Sequence, residues 1–305
     1  MKVSLITTVK DGAAHVGEFL DSVREQTRPP DEVVVVDGGS TDGTLDILRD
    51  APGVTLIEEQ GANIARGRNV AIGAATHDLI AVSDADCVLA PDWLQRLLVP
   101  MERGADVAMG SYRPLADGFL RVCAGAVAVP EPGELRAERF MPSSRSVAFR
   151  REAFVEAGGY PEWLDKGEDM WLDLRWRERG ARMELAADAV AQWRVRPTLL
   201  EHWNQYAEYA RHDAIAGMYG SRHALRFAVY AAAGVAAARR SRLMRVAAVA
   251  GAAYAARPVR RAMRRLPAGP QRSAAVLAVP ALMAFTDLAK MTGYGRGLLE
   301  CRRAR

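Results

Sequence analysis

Leu79-Ile-Ala-Val-Ser-Asp-Ala-Asp-Cys-Val-Leu89 reads as a buried strand that ends in two carboxylates one residue apart, Asp84 and Asp86. A short apolar run bounded by polar residues is the pattern of a strand inside an α/β sheet. In open α/β sheets, ligands bind outside the carboxyl ends of the strands. Residues i and i+2 face the same side of an extended chain, so both carboxylates can reach one cation or a diphosphate bridged by it. Mg2+ and Mn2+ prefer oxygen ligands and share them with substrate phosphates. An Asp-x-Asp pair also arises where one Asp caps a helix and the other is solvated, so the rest of the chain has to decide.

Upstream, strands and helices alternate. Val3–Val9 is a first buried strand, and Val16, Phe19, Leu20 and Val23 have helical spacing before Arg28-Pro-Pro30 stops them. Glu32–Val36 is a β-branched second strand that runs into Asp37-Gly-Gly-Ser-Thr-Asp-Gly-Thr44, where small residues permit a tight turn and close backbone approach to a ligand. A short helix over 45–50, a strand over 54–58 and a helix over 63–76, with Arg66 and Arg68 near its start, lead to the quoted stretch. Downstream come a helix from Pro91 to about Arg103 and a strand over 106–111. A proline-interrupted excursion follows from 112 to 142, then a strand at Ser146–Phe149, a helix at Arg151–Ala157 and a helix opened by Lys166-Gly-Glu-Asp-Met-Trp171. This order predicts an α/β fold with a mostly parallel sheet flanked by helices. No G-x-G-x-x-G follows the first strand and no Walker A sequence is present, which argues against nicotinamide dehydrogenases and P-loop enzymes.

The 305 residues, half of them hydrophobic, are enough for a sizeable core in one or two domains. Cys87, Cys123 and Cys301 lie far apart, with neither metal-site spacing nor a disulfide framework, which fits a reducing, cytoplasmic setting. Met1-Lys2 runs directly into a strand-like segment, unlike a signal peptide. The net charge of +4 conceals an asymmetry: residues 222–305 carry sixteen Arg and one Lys against only Asp287 and Glu300. An acidic body therefore carries a basic, Ala-rich tail, a pattern suited to an anionic surface.

The motifs Val35-Val-Asp-Gly-Gly-Ser-Thr-Asp-Gly-Thr44, Asn63-Ile-Ala-Arg-Gly-Arg-Asn69, Ser83-Asp-Ala-Asp86, Val147-Ala-Phe-Arg-Arg-Glu-Ala-Phe154, Gly158-Gly-Tyr160 and Gly167-Glu-Asp169 occur in this order. Over about residues 1–200 the chain resembles a family 2 glycosyltransferase with the GT-A fold. That resemblance implies an inverting transferase using a nucleotide-diphosphate sugar and a divalent cation, Mn2+ or Mg2+. It makes Asp84 and Asp86 the metal-and-diphosphate motif, with Asp86 the direct ligand and Asp84 toward the ribose. It places Asp37 at the base or ribose, although Gly38 stands where many relatives have a second acid. Thr7 and Thr8 fall where the nucleotide pocket begins, or are simply buried strand threonines. Arg66, Arg68 and Asn69 fall near the nucleotide sugar, where a guanidinium can pair with phosphate oxygens; the alternative is a solvated helix face with carboxylate partners.

Inversion needs a base opposite the leaving group. By the same resemblance Asp169 is that base, with Glu168 orienting the acceptor or supporting the loop; helix N-terminal acids favoured by the macrodipole have the same pattern. Some GT-A enzymes add a late histidine to the metal, which makes His212 a candidate ligand, as is His202, against the reading of interfacial or exposed helical histidines.

The tail holds three Ala-rich stretches, 224–238, 246–256 and 274–284 with an extension to Met291, separated by arginines. Each clean apolar run is shorter than the ~20 residues a bilayer-spanning helix needs. Short apolar helices with basic flanks suit an interfacial anchor on an anionic leaflet, and a soluble helical hairpin is the alternative. Stacking aromatics do not alternate with the basic residues, so nucleic acid is not an expected partner. The sequence thus predicts a GT-A-like domain over 1–221 and a basic helical region over 222–305, peripheral on the inner face of the cell membrane. Its expected partners are a nucleotide-sugar donor and a glycan or lipid-linked acceptor. The rivals are a catalytically inactive sugar-binding partner in an envelope assembly and a sugar nucleotidyltransferase. The latter opens with a Gly-rich, Arg-containing loop, where this chain has Thr7-Thr-Val-Lys-Asp-Gly12.

Overall fold

The computed structural model describes residues 1–240 and 242–303; Ser241, Ala304 and Arg305, part of the expected basic tail, lie outside the described residues. The chain forms two compact units, the first Met1–Arg113 with Glu131–Arg194, the second Pro114–Pro130 with Val195–Arg305.

The first unit is built on the β-branched runs. β1 (Val3–Val9), β2 (Glu32–Asp37), β3 (Val54–Glu58) and β4 (Leu79–Val82) lie in the order β3-β2-β1-β4, all parallel. Their crossovers are α1 (Val16–Arg24), α2 (Thr44–Arg49) and α3 (Ile64–Ala74). α1 buries Val16, Phe19, Leu20 and Val23, the helical-spacing set seen in the sequence. α3 starts where the Asn63 side chain accepts the Arg66 N–H at 2.9 Å. It lies close on β1 because Gly67 has no Cβ; one placed there would be 2.9 Å from Thr8 Cγ2.

Past β4 the sheet changes direction. β5 (Cys87–Leu89), β6 (Val107–Leu115), β7 (Val147–Arg150) and β8 (Met183–Arg194) complete an eight-stranded sheet ordered β3-β2-β1-β4-β7-β6-β8-β5 among the described residues. β7 pairs antiparallel with both β4 and β6, and β5 antiparallel with β8. α4 (Trp93–Glu102), α6 (Arg151–Ala157) and α7 (Glu168–Glu178) flank these strands. Phe149 stacks on Phe154 at 5.3 Å and meets Trp176 at 5.2 Å. This aromatic group fastens α6 and α7 to β7, and each such pair adds about 0.5–1.5 kcal/mol beyond burial.

The quoted stretch is therefore two strands. β4 stops at Val82, the chain turns through Asp84–Asp86 with the Cys87 N–H donating to the Asp84 carbonyl at 3.0 Å, and β5 restarts beside β8. Both carboxylates thus stand at the carboxyl edge of the parallel strands, and Asp37 ends β2 at that same edge, opposite Val9.

The second unit is helical: α5 (Gly118–Ala128), α8 (Leu199–Ile215), α9 (Gly220–Ala238), α10 (Leu243–Arg265) and α11 (Pro270–Arg303). α11 is one helix of 34 residues that continues through Pro280 and beyond the expected end at Met291. It buries Ala275, Val279, Leu282, Thr286, Ala289, Gly293 and Gly297, a stripe at steps of three and four. The glycines let α11 touch α8 backbone: a Cβ on Gly293 would stand 1.8 Å from the Ala207 carbonyl oxygen. Among the described residues α11 is the helix long and apolar enough to cross a membrane, with a mean hydropathy of 1.5 over its apolar window. The core helix of a soluble protein can have the same length and composition.

Candidate active site

Register explains which side chains meet. Val82 at the end of β4 pairs with Val147 at the start of antiparallel β7. The residues just after Val82 therefore lie beside those just before Val147. The Ser83 hydroxyl donates to the Arg145 carbonyl at 2.8 Å, which ties the two segments.

Arg68 is the centre of the cluster. It projects from α3, is 2% exposed, and donates to Asp84 Oδ1 and Glu168 Oε1, each at 2.6 Å. The Tyr160 ring lies 5.2 Å from its guanidinium. Burial opposes its charge, but Asp84 and Glu168 outweigh burial and hold it protonated above the usual arginine range. Asp84 shows the converse. Burial pushes its carboxyl up, yet Arg68 and then Arg145, whose Nε is 3.6 Å from Asp84 Oδ2, hold it below the ordinary aspartate value. Glu168 is pushed up to about 7, first by burial and then by the Asp169 charge, against the pull of Arg68.

Asp169 begins α7 beside Glu168 but is only half-buried. Its Oδ1 accepts from the Met170 N–H at 2.8 Å and its Oδ2 from the Ser143 hydroxyl at 3.3 Å. Asp173, one turn further along α7, is buried, and its Oδ2 has no hydrogen-bond partner. Burial and then Asp169 push its carboxyl well above the usual range. Asp86 is half-buried in the turn and takes a 3.8 Å contact from Cys87 Sγ.

The other expected residues divide by role. Asp37 is buried and ties its own loop, accepting the Gly39 and Ser40 N–H groups at 2.9 Å and the Ser40 hydroxyl at 2.5 Å. Gly38 beside it is confined, since a Cβ there would be 3.0 Å from the Ala62 carbonyl oxygen. Thr7 is buried with an unpartnered hydroxyl, and Thr8 packs against Gly67. Asn69 clamps the loop before α7: its amide donates to the Tyr160 carbonyl at 2.9 Å and accepts the Tyr160 N–H at 3.1 Å. Arg66 is exposed and paired with Glu59 at 2.6 Å and Glu162 at 3.5 Å. His212 sits on α8 in the second unit, buried, with Nδ1 hydrogen-bonded to the Glu208 carbonyl at 2.8 Å.

Tyr160, quoted in the sequence only within the motif Gly158-Gly-Tyr160, joins the site, as do Arg145 and Ser143, which were not singled out as site residues. The signal was Ser143-Ser-Arg-Ser146, immediately before a strand; the direction of that strand decides whether these residues reach the edge, and periodicity does not reveal direction.

No group of three or more His, Cys, Asp or Glu side chains able to hold a metal ion occurs among the described residues. A cage made by the protein alone does not fit here. A cation shared between the Asp84–Asp86 turn and a substrate diphosphate does fit, because Mg2+-type sites commonly use one or two carboxylates plus phosphate oxygens.

The chain matches the model of Glycosyl transferase family 2 over residues 4–119 and that of Glycosyl transferase family 21 over residues 62–302. It is 24% identical over 221 residues to the O-antigen chain rhamnosyltransferase RfbN of Salmonella typhimurium, covering 68% of this chain and 70% of that protein. It is 28% identical over 225 residues to the succinoglycan biosynthesis protein ExoA of Rhizobium meliloti, covering 65% of each. The structure of the mannosyltransferase PcManGT from Pyrobaculum calidifontis, in complex with GDP-Man and Mn2+, is similar at a TM-score of 0.59 and 24% identity, covering 98% of this chain and 86% of that one. Motif order, sheet topology and these matches agree, and the chain belongs to the family 2 glycosyltransferases of GT-A fold, with the family 21 model covering it from residue 62 to residue 302.

Proposed function

We propose that this glycosyltransferase moves a sugar, with inversion, from a nucleotide-diphosphate donor to a hydroxyl of a cell-envelope glycan or lipid-linked saccharide. The observation that carries this reading is Arg68, which joins the diphosphate motif at Asp84 to the acid pair at Glu168. Donor and acceptor machinery then share one buried cation. The relatives named for O-antigen and succinoglycan synthesis support an envelope glycan. The Mn2+ in the mannosyltransferase complex supports a divalent cation.

In this account Asp86, with Asp84 beside it, would hold Mn2+ or Mg2+ together with the donor diphosphate. When bound, the cation neutralises charge developing on the leaving diphosphate. Asp37 and its hydrogen-bonded loop receive the nucleoside. The acceptor oxygen bonds to the anomeric carbon as the carbon–oxygen bond to the diphosphate breaks, through an oxocarbenium-like centre. The acceptor proton passes to the Asp169 carboxylate. Asp169 suits that role better than Glu168: it is half-exposed and oriented by Ser143 and Met170, whereas Glu168 is buried and committed to Arg68.

Asp169→Asn tests the assignment. The variant should bind donor nucleotide with unchanged affinity and transfer sugar roughly 100-fold or more slowly, the usual worth of a positioned base. Transfer at the wild-type rate would remove Asp169 from that role.

We also propose that residues 222–305 dock on the anionic, cytoplasmic leaflet of the membrane. Sixteen arginines in that tail, with Val246 65%, Val249 70% and Leu277 79% exposed, give both the charge and the apolar surface that interfacial binding needs.

A further inference from the structure

We infer that a cavity in the helical unit, between α5, α10 and α11, is a recognition site for the phosphate headgroup of an anionic lipid. It is built from residues of the second unit only and has a volume of about 490 Å³. The inference rests on the membrane-surface reading for the source of the phosphate, and on the cavity's own chemistry for the rest.

The polar wall has an excess of positive charge. Arg257, Arg261 and Lys290 line the cavity together with one acid, Asp287. That acid is already engaged: Arg226 donates to its Oδ1 at 2.7 Å and the Tyr230 hydroxyl to its Oδ2 at 3.2 Å. Arg261 is held in place by the carbonyls of Ala126, at 3.0 Å, and Val129, at 3.4 Å, and so contributes fixed charge. Lys290 is half-buried; the face of the Tyr206 ring lies 4.8 Å from its Nζ. Burial, followed by the Arg226 charge, pulls its pKa down to about 8. The Asp287 and Asp213 charges offset only part of this, so a half-buried ammonium with no ion pair among the described residues gains from an arriving anion. Arg257, exposed at the mouth, adds a planar donor fork suited to phosphate oxygens.

The apolar wall selects an amphiphile over a free anion. Val127, Pro258 and Met283 close the cavity beside Ala253. Ala253 and Arg257 lie on the same face of α10 as Val246 and Val249, at steps of three and four residues. Those two valines are 65% and 70% exposed. An uncovered apolar track thus leads along α10 to the cationic pocket, so a phosphate seated by Lys290 and Arg257 has a surface on which its acyl chain can lie. Free inorganic phosphate would leave that track bare.

The test uses the full-length protein and calorimetric titration with water-soluble, short-chain phosphatidic acid, alongside inorganic phosphate. Saturable single-site binding of the lipid is expected. Lys290→Gln and Arg257→Gln should each weaken it roughly tenfold, about 1.4 kcal/mol, and inorganic phosphate should bind at least as much more weakly. Equal affinity for inorganic phosphate would make this a free-phosphate site and overturn the lipid assignment. Absence of lipid binding, or binding unchanged in both variants, would overturn the site. Arg257 is exposed, so its variant keeps the test valid if Lys290→Gln folds poorly. Both variants should retain the cation-dependent thermal shift with nucleoside diphosphates. Loss of that shift together with lipid binding would mark a general folding defect and contradict a dedicated lipid site.

Discussion

Arg68 and Glu168 are 100 residues apart in sequence and meet at 2.6 Å in the interior of the first unit. The same guanidinium reaches Asp84 at 2.6 Å. Removing it leaves the buried Glu168 without its cationic partner and the part-buried Asp84 with only Arg145, 3.6 Å away. Breaking a buried ion pair by deleting one partner typically costs about 3–5 kcal/mol. Arg68→Ala should lose that much in urea denaturation, and Arg68→Lys should recover only part of it, because a single ammonium does not reproduce the two-ended fork. Stability of Arg68→Ala within about 1 kcal/mol of wild type would contradict the bridging role.

Glu168 makes stability depend on pH in a defined direction. Its folded value, about 7, lies above the ordinary 4.5. A raised folded value gives a contribution that is complete below the unfolded pKa and fades as pH rises through the folded one. That part of the stability should therefore decline between pH 4.5 and about 7. Asp84 acts oppositely, but it loses its contribution only as pH falls below its ordinary 3.8, outside this window. Glu168→Gln stays neutral and should lack this decline. Parallel stability–pH curves for the two proteins would show that Glu168 does not titrate in this range.

The contact between α8 and α11 predicts opposite signs for two neighbouring glycines. Gly→Ala in an exposed helix gains about 1 kcal/mol. Gly295 has nothing within 4 Å of its added Cβ, so Gly295→Ala should raise the melting temperature. Gly293→Ala would press a methyl against the Ala207 carbonyl oxygen at 1.8 Å and should destabilise by about 1–3 kcal/mol despite its better helix propensity. A stabilised Gly293→Ala would mean that α8 and α11 do not pack this closely.

Membrane docking separates into charge and apolar parts. Full-length protein should float with anionic vesicles at low salt and partly release at high salt, as screening shortens the reach of the arginines. The residue bound at high salt should disappear in Val249→Asp/Leu277→Asp, which charges two of the most exposed apolar positions. No flotation at low salt would remove the membrane reading.

Much of the first unit was legible because its signals are local. β-branched runs mark β1 to β3, and the spacing of Val16, Phe19, Leu20 and Val23 marks α1. The carboxylate edge followed from the rule for parallel strands. What local pattern did not contain was direction and partner. That β7 runs antiparallel to β4, bringing Arg145 to Asp84, depends on pairing across the sheet. Arg68 and Asn69 are adjacent in register but opposite in function: one bridges the acids, the other clamps the Tyr160 loop. Their helix positions alone do not distinguish them. The apolar run over 274–284, with its extension to Met291, marks only part of α11, which continues to Arg303 through the small residues Gly293 and Gly297. Its packing stripe against α8, built from those same small residues, overrides propensity and keeps the helix continuous.

The most direct test of the central claim is a thermal-shift titration of nucleoside diphosphates, with and without Mn2+, on wild type and Asp86→Ala. The account predicts that at least one diphosphate stabilises the wild-type protein only when Mn2+ is present, and that Asp86→Ala abolishes this shift while folding normally. No shift with any nucleoside diphosphate, or an equal shift in Asp86→Ala, would contradict a cation-and-diphosphate site at the edge formed by Asp84 and Asp86.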